Sequence, residues 1–249
     1  MTLKKKVIKI AAVADLHCKK TNQEFLHTMF MHIAKTADVL VMCGDLVDSG
    51  VVEEAHILAS EISATIRIPA IGVLGNHDYE ADKQDEIKNI LCNAGVMILD
   101  GEVFETQGIG FAGVKGFGGG FGRYQLGSWG EQTIKHFVQE AMDEGMKLES
   151  ALVKLSNIPR IVLMHYSPIK ETVVGESLEI YPFLGSSRLE EPVNWFDVSL
   201  VIHGHAHYGT PEGFTAKNIP VYNVAIPLLN KLFPHHPPFR LLEFPRNGG

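Results

Sequence analysis

Residues 7–17 read VIKIAAVADLH, so a mostly apolar, β-branched run ends directly in the two polar side chains Asp15 and His17. A short run rich in valine and isoleucine is typical of a strand that is buried on both faces. A membrane span needs ~20 apolar residues, and this run ends in charge well before that length. The stretch therefore predicts a buried strand over residues 7–14, with polar side chains at its carboxyl end.

Strands and helices alternate along the next eighty or so residues. The apolar spacing predicts strands at 39–43 and 70–74 and helices at 21–35, 53–63 and 83–94. Thr21, with Glu24 three positions later, predicts a capping box at the start of the first helix. Alternation of this kind is typical of an α/β protein with a mainly parallel sheet.

The remaining chain predicts short strands and one long helix. The strands are expected at 96–99, 103–106, 109–113, 161–165, 198–203, 219–223 and 240–244. The helix is expected at 131–155, with a break at Gly145, and the glycine-rich residues 116–122 predict a loop. Since no linker, repeat or low-complexity segment interrupts the sequence, residues 1–249 are expected to form a single domain.

Five predicted strands are followed by short segments that carry polar side chains. These segments contain Asp15 and His17, Asp45 and Asp48, Asn76 and His77, His165, and lastly His205 and His207. In open α/β sheets the carboxyl ends of the strands form the ligand crevice, so side chains from separate strands can meet there. Carboxylate and imidazole groups without a thiolate favour Mn, Fe, Zn or Co over a structural zinc finger.

Each segment also has a structural interpretation when it is taken alone. Gly44-Asp45 and Gly75-Asn76 are common turn pairs, and a lone histidine such as His165 at a strand end is more often a core residue. His205 and His207 carry more weight, because alternate residues of an extended segment share a face. His203 continues that alternation, yet it precedes the glycine of the motif and is assigned a structural role.

The order of the motifs, DxH, GDxxD, GNHD, His and GHxH, resembles that of the calcineurin-like metallophosphoesterase family, in particular its small prokaryotic branch. The motifs span Asp15 to His207, which is most of the chain. The resemblance implies a two-sheet β-sandwich flanked by helices, the four-layer fold of that family. It also implies a metal-dependent phosphoesterase.

By the same resemblance, two divalent metal ions would be bound. The first would be held by Asp15, His17, Asp45 and His207, and the second by the shared Asp45 with Asn76, His165 and His205. Ions ~3.5–4 Å apart can share a bridging hydroxide, which would attack phosphorus in line with the leaving group. His77 would lie beside the leaving oxygen as a catalytic group, and Asp48 would hold its other ring nitrogen.

The substrate is expected to be a small phosphorylated molecule, with a slight preference for phosphodiesters. The protein phosphatase branch of the family has an arginine after the second aspartate of GDxxD, whereas this chain has Ser49 and Gly50. A phosphomonoesterase acting on proteins or small molecules, a non-catalytic metal-binding scaffold and a nuclease remain alternatives. Substrate selection is expected within residues 166–196, and the loop at 116–122 is a candidate lid that would bring Arg123 or Tyr124 near the substrate.

Composition limits the partners. The formal net charge is −7, and no basic stripe occurs beyond Lys4, Lys5 and Lys6, which argues against extended nucleic acid. No stretch predicts a membrane span, and three cysteines without a CxxC motif favour a reducing, cytoplasmic location. The native metal pair and the oligomeric state stay open.

Overall fold

The computed structural model describes residues 7–245, so the lysines at positions 4–6 lie outside the described residues. The strands are β1 (Val7–Val13), β2 (Val39–Cys43), β3 (Ala70–Val73), β4 (Val96–Ile98), β5 (Glu102–Thr106), β6 (Ile109–Gly113), β7 (Arg160–Leu163), β8 (Val198–His203), β9 (Glu212–Phe214), β10 (Pro220–Asn223) and β11 (Arg240–Pro245). The α-helices are α1 (Gln23–Thr36), α2 (Val52–Thr65), α3 (Gln84–Asn93), α4 (Gln132–Lys154), α5 (Tyr181–Leu184), α6 (Ser187–Trp195) and α7 (Ile226–Leu232).

The strands form two mixed sheets. The first has the order β11-β1-β2-β3-β4 and is parallel except for β11. The second has the order β5-β6-β7-β8-β10-β9, in which β5 and β9 are antiparallel edge strands. The sequence therefore predicted the mainly parallel character of the first sheet correctly.

The alternation of side chains along the strands explains how the layers stack. In β1, Ile10 packs in the core between the two sheets, where it meets Phe111 and Ile161 of the second sheet. Its neighbour Ala11 faces the other way, into the core beneath α1, α2 and α3. A third core lies between the second sheet and the helices α4 and α6 and includes Leu148. The expected two-sheet sandwich flanked by helices is thus confirmed.

Every predicted strand and helix is present, with ends within two residues of the predicted ones. The capping box is wrong, however. Thr21 lies inside a short 3-10 turn, and α1 begins at Gln23. The Asn22 carboxamide instead accepts a hydrogen bond from the Lys19 amide at 2.9 Å and donates one to the His17 carbonyl at 3.0 Å, so this turn holds the segment after β1 in place.

The predicted break in the long helix is also wrong, because α4 runs unbroken through Gly145. A Cβ atom at that position would come within 3.1 Å of the Arg188 carbonyl oxygen in α6. The glycine therefore allows two helices to approach closely and does not end one. Strand β9 and helices α5, α6 and α7 were missed, since each is short and gives few periods of a hydrophobic pattern.

Candidate metal centre

The carboxyl ends of β1, β2, β3, β7 and β8 meet at one edge of the sandwich. The parallel registers of β1-β2-β3 and of β7-β8 bring these ends level within each sheet. The ring of His165 joins the sheets, since its Nδ1 lies 3.0 Å from the carbonyl oxygen of Cys43. All the predicted site residues follow these strand ends, and the structure brings them together at this edge.

The backbone of the site is unusual. Four of its residues have φ in the left-handed region: Asp15 at 57°, His17 at 43°, Asp45 at 50° and His205 at 69°. This conformation is uncommon outside glycine, and a strained backbone of this kind costs roughly 1–3 kcal/mol per residue. Such strain concentrates where a fold must aim side chains at a ligand, and nothing in the sequence pattern had revealed it.

A first cluster contains Asp15, His17 and His207. Each offers one ligand atom, and these atoms lie within 4.8 Å of one another. His207 Nε2 is 3.0 Å from Asp15 Oδ1, and His17 Nε2 is 3.8 Å from Oδ2 of Asp45. The four side chains that the resemblance assigned to the first ion therefore surround one volume.

A second cluster contains Asp45, His165 and His205, again with ligand atoms within 4.8 Å of one another. His165 Nε2 lies 2.9 Å from Asn76 Oδ1 and 3.3 Å from Asp45 Oδ1. The four side chains assigned to the second ion are thus adjacent as well. Asp45 contacts members of both clusters through its two oxygens.

The electrostatics of the second cluster call for positive charge. Burial favours the neutral form of Asp45, but the charge of His165 and hydrogen bonds from His165 and the His77 amide outweigh it and lower the pKa of Asp45. Burial opposes protonation of His165, yet the Asp45 carboxylate raises the pKa of His165 to about 9. In this arrangement a proton supplies the positive charge that a bound metal ion would supply.

Two other imidazoles are held neutral, which is the form that binds metals. Burial is the main reason that the pKa of His17 is lowered. Burial, reinforced by the charge of His165, lowers the pKa of His205 to about 4. Both ring nitrogens of His17 are shielded from solvent and have no hydrogen-bond partner among the described residues. Buried polar atoms of this kind need a partner, and a divalent cation bound by nitrogen and oxygen donors fits them.

Three glycines leave room for these side chains. A Cβ atom at Gly44 would collide with the ring of His165, one at Gly75 with the carboxylate of Asp45, and one at Gly204 with that of Asp15. Gly44 also has φ of 84°, which agrees with the sharp bend expected there. Gly75 is needed for space and not for a left-handed conformation.

His77 lies at the solvent side of the first cluster. Its ring centroid is 4.6 Å from that of His17, and its ring is about one-third exposed, with a side-chain exposure of 38%. Its Nδ1 lies 2.6 Å from the backbone carbonyl of Asp48 and not from the carboxylate. The Asp48 carboxylate instead lies 2.9 Å from Lys19 Nζ and 3.5 Å from His17 Nδ1. The structure thus replaces the expected side-chain contact with a main-chain one.

Asp78 was left without a defined role by sequence reasoning. Its buried carboxylate accepts hydrogen bonds from the amides of Val47 at 2.9 Å, Leu46 at 3.0 Å and Gly75 at 2.7 Å. It therefore ties the loop after β2 to the loop after β3. Burial, together with the charge of Asp45, raises the pKa of Asp78 to about 7, and the three amides oppose that shift.

Fold and site together define a metal-dependent phosphoesterase: a mixed two-sheet sandwich with carboxylate and imidazole clusters at its strand ends. The chain belongs to the calcineurin-like phosphoesterase family, whose sequence model matches residues 8–209. Divalent metal ions are part of the chemistry of that family. No curated protein sequence matches the chain significantly.

Several solved structures have the same fold at low sequence identity. Phosphopantetheinyl hydrolase (PptH) from Mycobacterium tuberculosis has a TM-score of 0.68 at 13% identity, over 96% of this chain and 97% of that one. TT1561 of Thermus thermophilus has 0.57 at 13%, over 97% and 100%. A proposed 5'-nucleotidase from Staphylococcus aureus has 0.54 at 14%, over 88% of this chain and 48% of its own. Over residues 7–245, no helix combines the length and the apolar character needed to cross a bilayer.

Proposed function

We propose that the protein hydrolyses phosphate esters with two divalent metal ions, and that it prefers phosphodiesters. The observation that carries the proposal is the position of Asp45 between two clusters of ligand atoms. Asp15, His17, Asp45 and His207 would hold one ion, and Asp45, Asn76, His165 and His205 the other. We also propose that residues 1–249 form one domain, since the two sheets share a core.

When bound, two such ions lower the pKa of a water molecule towards neutrality and withdraw charge from the phosphate oxygens. The chain itself orients the groups around them. Asp15 is fixed by the His205 amide at 3.0 Å, and Asp45 by the His77 amide at 2.9 Å. Both carboxylates are almost completely buried, so they are held in place for ligation and shielded from water.

His77 would move the proton of the leaving group. Its Nδ1 faces the Asp48 carbonyl, which can only accept, so Nδ1 carries a hydrogen and Nε2 is the atom that faces a substrate. A protonated Nε2 would donate to the leaving oxygen as the ester bond breaks. The carbonyl of Asp48 fixes the direction of the ring, and the Asp48 carboxylate orients His17.

The preference for phosphodiesters rests on the residues that follow Asp48. Ser49 and Gly50 supply no fixed cation for a phosphate dianion. A phosphomonoesterase is the second candidate, and one observation favours it. Lys19 Nζ lies beside the Asp48 carboxylate at 2.9 Å and its side chain is 46% exposed, so it is a cation within the site region. The similar fold of a proposed 5'-nucleotidase is compatible with this second candidate.

The two candidates separate when the Mn²⁺-loaded protein is given bis-p-nitrophenyl phosphate and p-nitrophenyl phosphate. We expect turnover of both, a larger kcat/KM for the diester, and loss of both activities with EDTA. His77→Ala should lower kcat by ~10²–10⁴, the usual scale for a positioned acid or base. The exposed His56 of α2 offers a matched control, His56→Ala, which should leave kcat unchanged.

A larger kcat/KM for the monoester would favour the second candidate. Turnover that persists after complete chelation would contradict the metal mechanism, whichever ester is preferred.

A further inference from the structure

A cleft of about 190 Å³ opens directly beside Asn76 and His205. Its other walls include four aromatic side chains, Phe117, Phe137, Tyr166 and Phe183, which together are called the aromatic cleft. They come from two parts of the chain whose roles the sequence had left open, together with helix α4. Phe117 belongs to the glycine-rich loop, and Tyr166 and Phe183 belong to the long segment between two metal motifs.

The rings of the aromatic cleft contact one another at tilted or edge-on angles. Phe117 lies 4.8 Å from Phe137, and Phe137 lies 6.1 Å from Phe183, between ring centroids. The ring of Tyr166 lies 4.5 Å from that of His205, so the row of rings continues to the candidate metal ligands. Edge-to-face and tilted contacts are the preferred geometry between aromatic rings, and a further ring added to this group can make the same contacts.

The back of the aromatic cleft is held firmly. The Nζ of the buried Lys115 lies 4.8 Å from the centroid of Phe117 and 5.5 Å from that of Tyr166, so a cation fixes the two rings from behind. At the front, Phe183 is 58% exposed. The cleft thus has a rigid rear wall and an exposed ring at its opening, which is suited to a group that enters from solvent.

We propose that the aromatic cleft binds a planar aromatic group carried by the phosphate ester, next to the phosphate at the metal centre. The inference rests on the proposed function, because Asn76 and His205 are proposed ligands of the second ion. A phosphate bound there places its organic substituent at the mouth of the cleft. None of the four aromatic walls carries a charge, so a second phosphate or a carboxylate would lose its hydration there without compensation.

The size of the aromatic cleft narrows the class further. Ligand pockets for drug-sized molecules occupy ~300–1,000 Å³. A cleft of about 190 Å³ is smaller and suits a single ring system. The geometry therefore favours an aryl or nucleobase-like substituent over a long polar chain.

Phosphonates test this without relying on turnover, since they bind but are not hydrolysed. Binding of phenylphosphonate, cyclohexylphosphonate and methylphosphonate to the Mn²⁺-loaded protein would be measured by titration calorimetry. We expect phenylphosphonate to bind about tenfold more tightly than methylphosphonate, and more tightly than the saturated ring. Phe137→Ala and Phe183→Ala should each reduce that tenfold ratio towards one while the Kd of methylphosphonate stays unchanged.

A matched control is Phe214→Ala, because Phe214 is 55% exposed like Phe183 but lies on edge strand β9. It should leave the ratio intact. Equal binding of the phenyl and methyl compounds, a preference that survives both cleft variants, or equal binding of the phenyl and cyclohexyl compounds would overturn the aromatic subsite and leave the proposed function standing. Failure of all three phosphonates to bind would contradict the proposed function itself, and the subsite with it.

Discussion

His203 and His17 are both shielded from solvent at their ring nitrogens, yet the two regions that hold them treat those nitrogens in opposite ways. His203, at the end of β8, contacts the Gly204 carbonyl and the Thr172 hydroxyl, each at 2.8 Å. His17, just beyond β1, has no hydrogen-bond partner for either nitrogen among the described residues. A buried polar group without a partner costs ~1–3 kcal/mol. The sheet therefore satisfies its own histidine, whereas the loop keeps one ready for a ligand.

Removing the shared carboxylate should have the largest effect. Asp45→Asn keeps the shape of the side chain but removes the negative charge that faces both clusters. We expect kcat/KM to fall by more than about 10⁴, since residues that act as one unit fail together. Steady-state hydrolysis of bis-p-nitrophenyl phosphate, with Mn²⁺ binding measured in parallel, checks this. Activity within tenfold of the wild type would show that the loops do not act through Asp45.

Replacing each of the two histidines by phenylalanine tests the opening contrast directly. His17→Phe should lower kcat/KM by about 10³ through loss of a ligand, without lowering the stability of the metal-free protein. His203→Phe should do the reverse and lower the free energy of unfolding by about 2 kcal/mol, because it leaves the Thr172 hydroxyl and a carbonyl without their partner.

Urea unfolding in EDTA, together with activity in Mn²⁺, measures both properties. A loss of metal-free stability in His17→Phe equal to that in His203→Phe would remove the distinction between the two regions.

Asp78 tests how the strained loops are held. Asp78→Ala leaves the amides of Leu46, Val47 and Gly75 without an acceptor, and we expect the free energy of unfolding to fall by about 3 kcal/mol. Asp197→Ala removes an exposed carboxylate instead and should change stability by less than about 0.5 kcal/mol. Urea unfolding of both variants checks this, and equal losses would show that Asp78 does not hold the loops.

The contrast between strands and loops also explains what the sequence could predict. Apolar runs such as residues 39–43 obey a simple rule of burial, so their strands and the polar segments after them were predicted with nearly the observed bounds. The left-handed backbone of Asp15 and the contact of the Asp48 carbonyl with His77 depend on loops that meet only after folding. Local patterns carry no signal for such contacts.

Two wrong predictions had the same origin. Thr21 and Gly145 were interpreted from local rules for helix caps and helix breaks. In the folded chain, the Asn22 side chain takes over the turn at Thr21, and the packing of α6 against α4 accounts for Gly145. Tertiary contacts therefore override local preference at both positions.

The most direct test of the metal centre is anomalous diffraction from a crystal grown with Mn²⁺. Two peaks are expected, one among Asp15, His17 and His207 and the other among Asn76, His165 and His205, with Asp45 within coordination distance of both. A single peak, or peaks that leave Asp45 without a metal ion, would contradict the account.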